Sequence, residues 1–290
     1  MSFLTKSLRR IFVLFAALTL FPTDLVISAE QVNVETLLAR ARSAYATGKR
    51  DEALKLATQA IETEPKNPSG YFIRARFHEE SHEPGKAITD YDQVLKLDPS
   101  AAQAWQHRGG EHFKLAHIKE SLADFDKFIE LMPQQAPHHW QRGIALYYAG
   151  RFAEGRKQFE LHQTVNSDDV ENAVWHFLCL ARESGIDAAR AALIPIKGDA
   201  RIPMMEVHAL FAGKAKVEDV LKAASVDGTP RSQLNRHLFY AHLYLGLYFE
   251  ATGDDSKARE HILQATGTYR TDDYMGDVAR VHLQLRWPKK

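Results

Sequence analysis

Three prolines recur at a fixed interval, and this interval constrains the fold more than any other feature of the sequence. Pro65, Pro99 and Pro133 are each 34 residues apart. Each proline follows an amphipathic segment and precedes a new one, which suits a residue that stops one helix and starts the next. The sequence therefore predicts a series of helical hairpins of equal length.

Other residue types repeat with the same period. Small residues recur where two helices must cross closely, and large apolar residues recur where the second helix of a hairpin packs against the first. Asp90 and Asp124 also lie one period apart, in helices that face a repeated arginine, so we expect ion pairs between the helices. The repeated sets are Arg74, Arg108 and Arg142; Ala75, Gly109 and Gly143; Tyr91, Phe125 and Phe159; and Asp92, Asp126 and Glu160.

This pattern resembles the tetratricopeptide repeat (TPR), whose period is 34 residues. In the third unit the matching residues are Trp105, Gly109, Phe125 and Pro133. The resemblance implies an all-α fold, a right-handed α-solenoid of TPR helical hairpins with a C-terminal capping helix. We expect four TPR units over residues 30–168, degenerate helical hairpins over residues 169–228, and a C-terminal TPR unit plus the capping helix over residues 229–290.

The order of segments from about residue 170 to residue 285 is similar to that of NlpI-type TPR lipoproteins of the bacterial envelope. A degenerate stretch is followed by a repeat that contains Leu245, Gly246 and Phe249, and then by a last helix. The resemblance implies an adaptor for envelope proteases and peptidoglycan hydrolases. The chain departs from those proteins because it lacks their lipidated cysteine, its single cysteine being Cys179.

The first 29 residues have the three regions of an export signal. Three basic residues precede an apolar run from Ile11 to Phe21, and the segment ends in small residues at Ala29. The run is too short to cross a bilayer of about 30 Å as a helix. We expect residues 1–29 to be a cleaved signal peptide, and the protein to be exported to the periplasm or cell envelope of a bacterium. An uncleaved anchor is the alternative, and it is the only case in which we expect membrane attachment.

Charge and composition exclude several classes of function. The chain has 37 basic and 37 acidic residues, so its formal net charge is zero. A nucleic-acid surface needs an excess of lysine and arginine, so we expect no nucleic-acid partner. One cysteine excludes an intramolecular disulfide and a cysteine-rich zinc module. No glycine-rich phosphate loop is present, and we expect no cofactor.

The TPR resemblance also indicates where a partner would bind. In TPR folds the first helix of each hairpin lines the concave face. Aromatic residues and arginine supply much of the binding energy at protein interfaces. We therefore expect a groove that binds a protein or peptide, and its candidate residues are Arg42, Tyr45, Phe72, Arg76, Gln106, Phe113, Trp140, Ile144 and Tyr147.

One motif points to catalysis instead. The segment His78-Glu79-Glu80-Ser81-His82 matches H-E-x-x-H, which on a helix places two imidazoles on one face, able to bind zinc beside a glutamate base. The TPR frame assigns His78 a packing role, and the Pro84-Gly85 pair ends the helix soon after the motif. We therefore expect no metal site here.

The favoured hypothesis is an exported TPR scaffold or adaptor that binds other proteins through its concave face, without catalysis. The alternatives are a zinc-dependent hydrolase that uses the motif from His78 to His82, and a self-associating structural solenoid, which would form a homodimer.

Overall fold

The computed structural model describes residues 33–288, so the predicted signal peptide lies outside the described residues. This part of the chain forms fifteen α-helices and no strand. The helices are α1 (Val34–Ala46), α2 (Arg50–Thr63), α3 (Pro68–Glu80), α4 (Pro84–Leu97), α5 (Ala102–Lys114), α6 (Ile118–Leu131), α7 (Trp140–Tyr148), α8 (Phe152–Gln163), α9 (Val170–Ser184), α10 (Ile186–Ala191), α11 (Met204–Phe211), α12 (Val217–Ala224), α13 (Arg231–Thr252), α14 (Asp255–Thr266) and α15 (Tyr274–Arg286). A 3-10 helix, Pro133–His138, precedes α7.

The first eight helices form four antiparallel hairpins in the predicted register. The second helices α2, α4, α6 and α8 each begin one 34-residue period after the last. The residue at the tip of each hairpin turn has a positive φ, and this position also repeats with the period. Its occupants are Gly48 at 78°, His82 at 55°, Ala116 at 59° and Gly150 at 73°. The left-handed conformation suits glycine, so the two inner hairpins make the same turn with less suitable residues.

Close crossing of the two helices in a hairpin depends on the repeated glycines, as the sequence predicts. A Cβ at Gly109 would lie 2.7 Å from the ring of Phe125, and a Cβ at Gly143 would lie 2.6 Å from the ring of Phe159. The same contact recurs in the hairpin of α13 and α14, where a Cβ at Gly246 would lie 2.6 Å from Ile262. The all-α solenoid of hairpins is therefore confirmed.

The expected ion pairs between helices are also present. Arg74 donates two hydrogen bonds to Asp90, both at 2.8 Å. Arg108 does the same to Asp124, at 2.8 and 2.7 Å. The side chains of Asp90 and Asp124 are 5% and 4% exposed, so these pairs are buried in the hairpin rather than laid on its surface. In the fourth hairpin, Arg142 bonds to the more exposed Asp126 at 2.6 Å.

The hydrophobic core is distributed unequally along the stack. The first two hairpins and the start of the third contain two small clusters, one from Val34 to Phe77 and one from Ala75 to Ala104. A single large cluster then extends from Phe113 to Val281. This cluster crosses both predicted boundaries in the C-terminal half, because helices α9 to α15 pack against hairpins three and four and against one another. None of the described helices has the length and hydropathy to cross a membrane.

Candidate binding groove and cavities

The predicted groove residues of the first two hairpins are accessible. Arg42 is exposed on α1, and Tyr45 is half-buried with its ring stacked on Phe77 at a centroid distance of 4.4 Å. Phe72 on α3 is also half-buried, and its ring meets that of Tyr91 edge-on at 5.7 Å. These side chains are held in place by packing on one side and leave surface for a partner on the other.

Arg76 and Gln106 join the second hairpin to the third. The guanidinium of Arg76 lies 2.9 Å from Nε2 of His107, on the next first helix. The amide of Gln106 donates to Gln141 on α7 at 2.9 Å. Both side chains are half-buried, so they line the concave face as predicted while also linking neighbouring hairpins.

Three of the predicted groove residues do not lie on an open surface. Phe113 is 0% exposed, and Ile144 and Tyr147 are each 1% exposed. They belong to the large core, because α15 and α13 cover the face of hairpins three and four. The ring of Phe113 stacks on Tyr274, and the Tyr147 hydroxyl donates to Glu250 at 3.3 Å. The prediction that these three residues contact a partner is therefore wrong for this conformation.

Trp140 has an intermediate position. Its side chain is half-buried and meets the ring of Tyr274 edge-on, with centroids 5.0 Å apart and planes at 88°. The sequence gave no direct sign of this contact. A capping helix was expected at the end of the stack, whereas α15 lies against α5 on the concave side.

Glu250 fastens this arrangement. Its carboxylate accepts a hydrogen bond from Arg182 on α9 at 2.7 Å and lies 2.6 Å from the guanidinium of Arg286 on α15. Together with the bond from Tyr147, these contacts connect α7, α9, α13 and α15 through one side chain that is 9% exposed. Buried charge-assisted contacts of this kind are strong when both partners are present.

Cavity A lies between α3, α5 and the start of α15. Its volume is about 580 Å³. Glu111 is the least exposed of its lining residues, at 1%, and its Oε1 pairs with Lys114 while Oε2 has no hydrogen-bond partner among the described residues. Burial raises the pKa of Glu111 to about 7. The lining residues are Glu79, Glu80, His82, Gln106, His107, Gly110, Glu111, Lys114, Gln141, Asp272, Tyr274 and Asp277.

Cavity B lies on the other side of Tyr274 and has a volume of about 380 Å³. It is bounded by α7, α8, α9, α13 and the start of α15. Sequence reasoning missed it, because its residues come from five helices of which only two belong to the regular repeats. The lining residues are Trp140, Ile144, Phe159, His162, Asn166, Asp169, Glu171, Asn172, Trp175, Arg201, Arg236, Tyr240, Asp273, Tyr274 and Met275.

The zinc-binding arrangement of the H-E-x-x-H motif is not formed. Helix α3 ends at Glu80, so His82 lies beyond it at the left-handed turn position. Nδ1 of His78 lies 2.7 Å from Glu83, and Glu79 accepts a hydrogen bond from the Tyr91 hydroxyl at 2.8 Å. Within residues 33–288 no group of three or more histidine, cysteine or acidic side chains is arranged to hold a metal ion.

Comparison with known proteins agrees with this geometry. The family model described as "Tetratricopeptide repeat" matches residues 38–102. A tetratricopeptide repeat protein from Parabacteroides merdae is 19% identical, with a TM-score of 0.50 over 89% of this chain and 86% of that one. The MamA protein is 14% identical, with a TM-score of 0.53 over 69% of this chain and 98% of that one.

A shorter match is the first TPR of Spaghetti (RPAP3) bound to an HSP90 peptide, which is 25% identical over 37% of this chain and 85% of that one, with a TM-score of 0.34. The longer matches concern the fold, and they extend through the C-terminal half. With the repeated hairpin register and the matching family model, they identify the chain as a tetratricopeptide repeat protein.

Proposed function

We propose that this protein is an exported scaffold that binds a segment of another protein on the concave face of its first three hairpins. The observation that carries the proposal is cavity A, an opening of about 580 Å³ beside the half-buried side chains of Arg76 and Gln106. Stacked repeats create extended concave surfaces of this type, and TPR folds generally serve protein interaction rather than catalysis.

The position of α15 directs the partner to one end of the stack. Hairpins three and four have their concave face covered by the ring of Tyr274 and the helix that follows it. Helices α1 and α3 carry no such cover, and Arg42, Tyr45 and Phe72 keep accessible surface. A partner segment that crosses these helices would reach the carboxylates and imidazoles of cavity A at its far end.

A photo-cross-linking experiment tests this surface directly. A benzophenone amino acid is placed at Arg42 or Gln106 on the concave side, and at Lys96 or Glu130 on second helices as matched convex controls. Each variant is expressed in the source cells, irradiated and purified. We expect the two concave positions to give a common protein adduct that the two convex positions do not give. Equal adducts at all four positions, or none at the concave positions, would contradict the proposal.

Export is the second part of the proposal and depends on residues 1–29. The charge and apolar pattern of that segment supports it. Cell fractionation and the intact mass of the purified protein test it together, with a variant lacking residues 2–29 as control. The proposal expects full-length protein in the envelope fraction with a mass that starts at Glu30. Retention of the full mass in the cytosol would refute export.

A further inference from the structure

Cavity B is built differently from the concave face and lies outside the surface proposed for the protein partner. Its interior is formed by buried side chains, among them Trp175 at 1% exposure, while Asn166, Arg236 and Asp273 at its mouth are exposed. A volume of about 380 Å³ is in the range of small-molecule sites. The cavity therefore has the size and the entrance for a small ligand or a single long side chain.

Aromatic rings form much of its wall. Trp140 and Tyr274 stand at 88° to each other and make one corner, and Trp175 and Tyr240 also line the interior. The face of an indole or phenol ring carries partial negative charge and attracts a cation that lies over it. Such a wall also buries the apolar body to which the cation is attached.

The charged groups beside these rings leave an excess of negative charge. Arg201 is the shared partner of three carboxylates, those of Asp169, Glu171 and Asp199, and its contact to Asp169 measures 2.6 Å. The side chains of Asp169 and Glu171 are each 17% exposed, and both line the cavity. One guanidinium thus faces three carboxylates. The first amides of α9 offset part of the difference, since Val170 and Glu171 donate their N–H groups to Asp199 and Asp169.

An unused hydrogen-bond acceptor lies in the same wall. Asn172 is 3% exposed, and its amide nitrogen donates to the carbonyl of Phe159 at 3.1 Å. Its Oδ1 has no partner among the described residues, and neither does the hydroxyl of Tyr274. A buried polar atom left unpaired costs about 1–3 kcal/mol, so an occupant that donates hydrogen bonds would be favoured here.

We propose that cavity B binds an alkylammonium group carried on an apolar body, with the ammonium beside Asp169, Glu171 and Asn172 and the body against the aromatic wall. Two sources share this chemistry, a free amine and a lysine side chain of a peptide. This site is independent of the concave-face partner. The N–H of Trp175, which is also unpaired, would meet an acceptor on the ligand or a water molecule.

Arg236 gives the opposite possibility a clear signature. It stands at the mouth, 6.0 Å from the ring centroid of Tyr240, and no carboxylate among residues 33–288 lies within ion-pair distance of it. An anionic ligand would bind through this guanidinium. Replacing it should then abolish binding, whereas an ammonium ligand should bind equally well or better without it.

Calorimetric titration of the full chain with three matched probes tests the charge. The probes are phenethylamine, its neutral analogue 2-phenylethanol and its anionic analogue 3-phenylpropionate. We expect phenethylamine to bind roughly tenfold tighter than either analogue, since that is the scale of a desolvated cation–π contact with added carboxylates. A further pair, an acetylated glycyl-lysyl-glycine amide and the same peptide with its lysine Nε-acetylated, separates the peptide source from the free amine.

Variants locate the binding. Trp140→Leu should weaken phenethylamine binding at least fivefold, whereas Trp105→Leu, the same change at a tryptophan that lines neither cavity, should leave it unchanged. Arg236→Gln should leave binding unchanged or tighten it. Circular dichroism confirms that each variant is folded. The proposal is overturned if no cationic probe binds, if 3-phenylpropionate binds best, or if Arg236→Gln abolishes binding while Trp140→Leu does not.

Discussion

The rings of Phe113 and Tyr274 stack with centroids 5.5 Å apart and planes inclined by 15°. Phe113 belongs to the third hairpin and Tyr274 begins the last helix, so the contact joins distant parts of the chain across the concave face. Tyr274 also lines both cavities and separates one from the other. The residue thus closes the core of hairpins three and four and leaves cavity A as the accessible part of the face.

Removal of the Tyr274 hydroxyl should be nearly neutral. This oxygen has no hydrogen-bond partner among the described residues, whereas the hydroxyl of Tyr244 donates to Glu171 at 2.6 Å. We expect Tyr274→Phe to change the free energy of unfolding by less than about 0.5 kcal/mol, and Tyr244→Phe to lower it by about 1–2 kcal/mol. Urea denaturation followed by circular dichroism measures both. Equal losses would show that the hydroxyl of Tyr274 has a partner in solution.

The repeated arginines should differ in their contribution to stability. Arg108→Ala leaves the carboxylate of Asp124, 4% exposed, without its bidentate partner, and we expect a loss of about 3 kcal/mol. Arg142→Ala should cost about 1 kcal/mol, because its carboxylate partner Asp126 is 42% exposed and its other contact is the neutral amide of Gln158. Chemical denaturation of the two variants under identical conditions gives the comparison. A larger loss for Arg142→Ala would contradict the burial argument.

The left-handed turn positions should respond to glycine. Ala116 has a φ of 59°, a conformation that costs a residue with a Cβ about 1–2 kcal/mol. Ala116→Gly removes this cost but adds conformational entropy to the unfolded chain, so we expect a net gain of about 0.5–1 kcal/mol. Gly48→Ala, at the same position of the first hairpin, should lose about 1 kcal/mol. Melting temperatures that move in the same direction for both variants would refute the assignment.

Stability should fall on acidification because of buried histidines. Burial lowers the pKa of His282 to about 3, and its Nδ1 lies 3.1 Å from the Tyr148 hydroxyl. The unfolded chain, in which a histidine titrates near 6.5, therefore binds this proton at higher pH than the folded chain does. Stability that is complete above pH 6.5 is lost as the pH falls from 6.5 toward 3, by up to about 1.4 kcal/mol per pH unit for this group.

His282→Asn tests this dependence, because the asparagine oxygen can replace Nδ1 as the acceptor for Tyr148. The variant should show a shallower loss of stability between pH 6.5 and pH 4 than the parent chain. Urea midpoints at several pH values measure the slope. His139 and His242, whose pKa values burial lowers to about 4, contribute to the slope that remains.

The features that could be predicted from the sequence are those that depend on neighbouring hairpins. The Arg108–Asp124 pair and the approach of Phe125 to Gly109 repeat with the period, so comparison of one unit with the next was sufficient. The turn position of His82 carried the same signal, because Gly48 and Gly150 occupy it in other hairpins. That comparison, applied to the H-E-x-x-H motif, would have placed its second histidine outside the helix.

The features that could not be predicted depend on long-range packing outside the repeat. Tyr147 and Glu250 are far apart in the sequence, and nothing in the periodicity brings them together. The burial of Phe113 and the existence of cavity B follow from such contacts. Self-association of the solenoid stays a prediction, which light scattering of the chain from residue 30 onward tests.

The unequal distribution of the core has a consequence for how the molecule opens. A uniform repeat array opens from either end, one unit at a time. Here the chain from Phe113 onward shares one cluster and should open as a single cooperative unit, while hairpins one and two hold small clusters that can open separately. Amide hydrogen exchange should be fastest in α1 to α4. A partner bound across these helices would slow their exchange and leave the rest of the molecule unchanged, which makes the N-terminal hairpins both the docking surface and the part of the fold that docking stabilises.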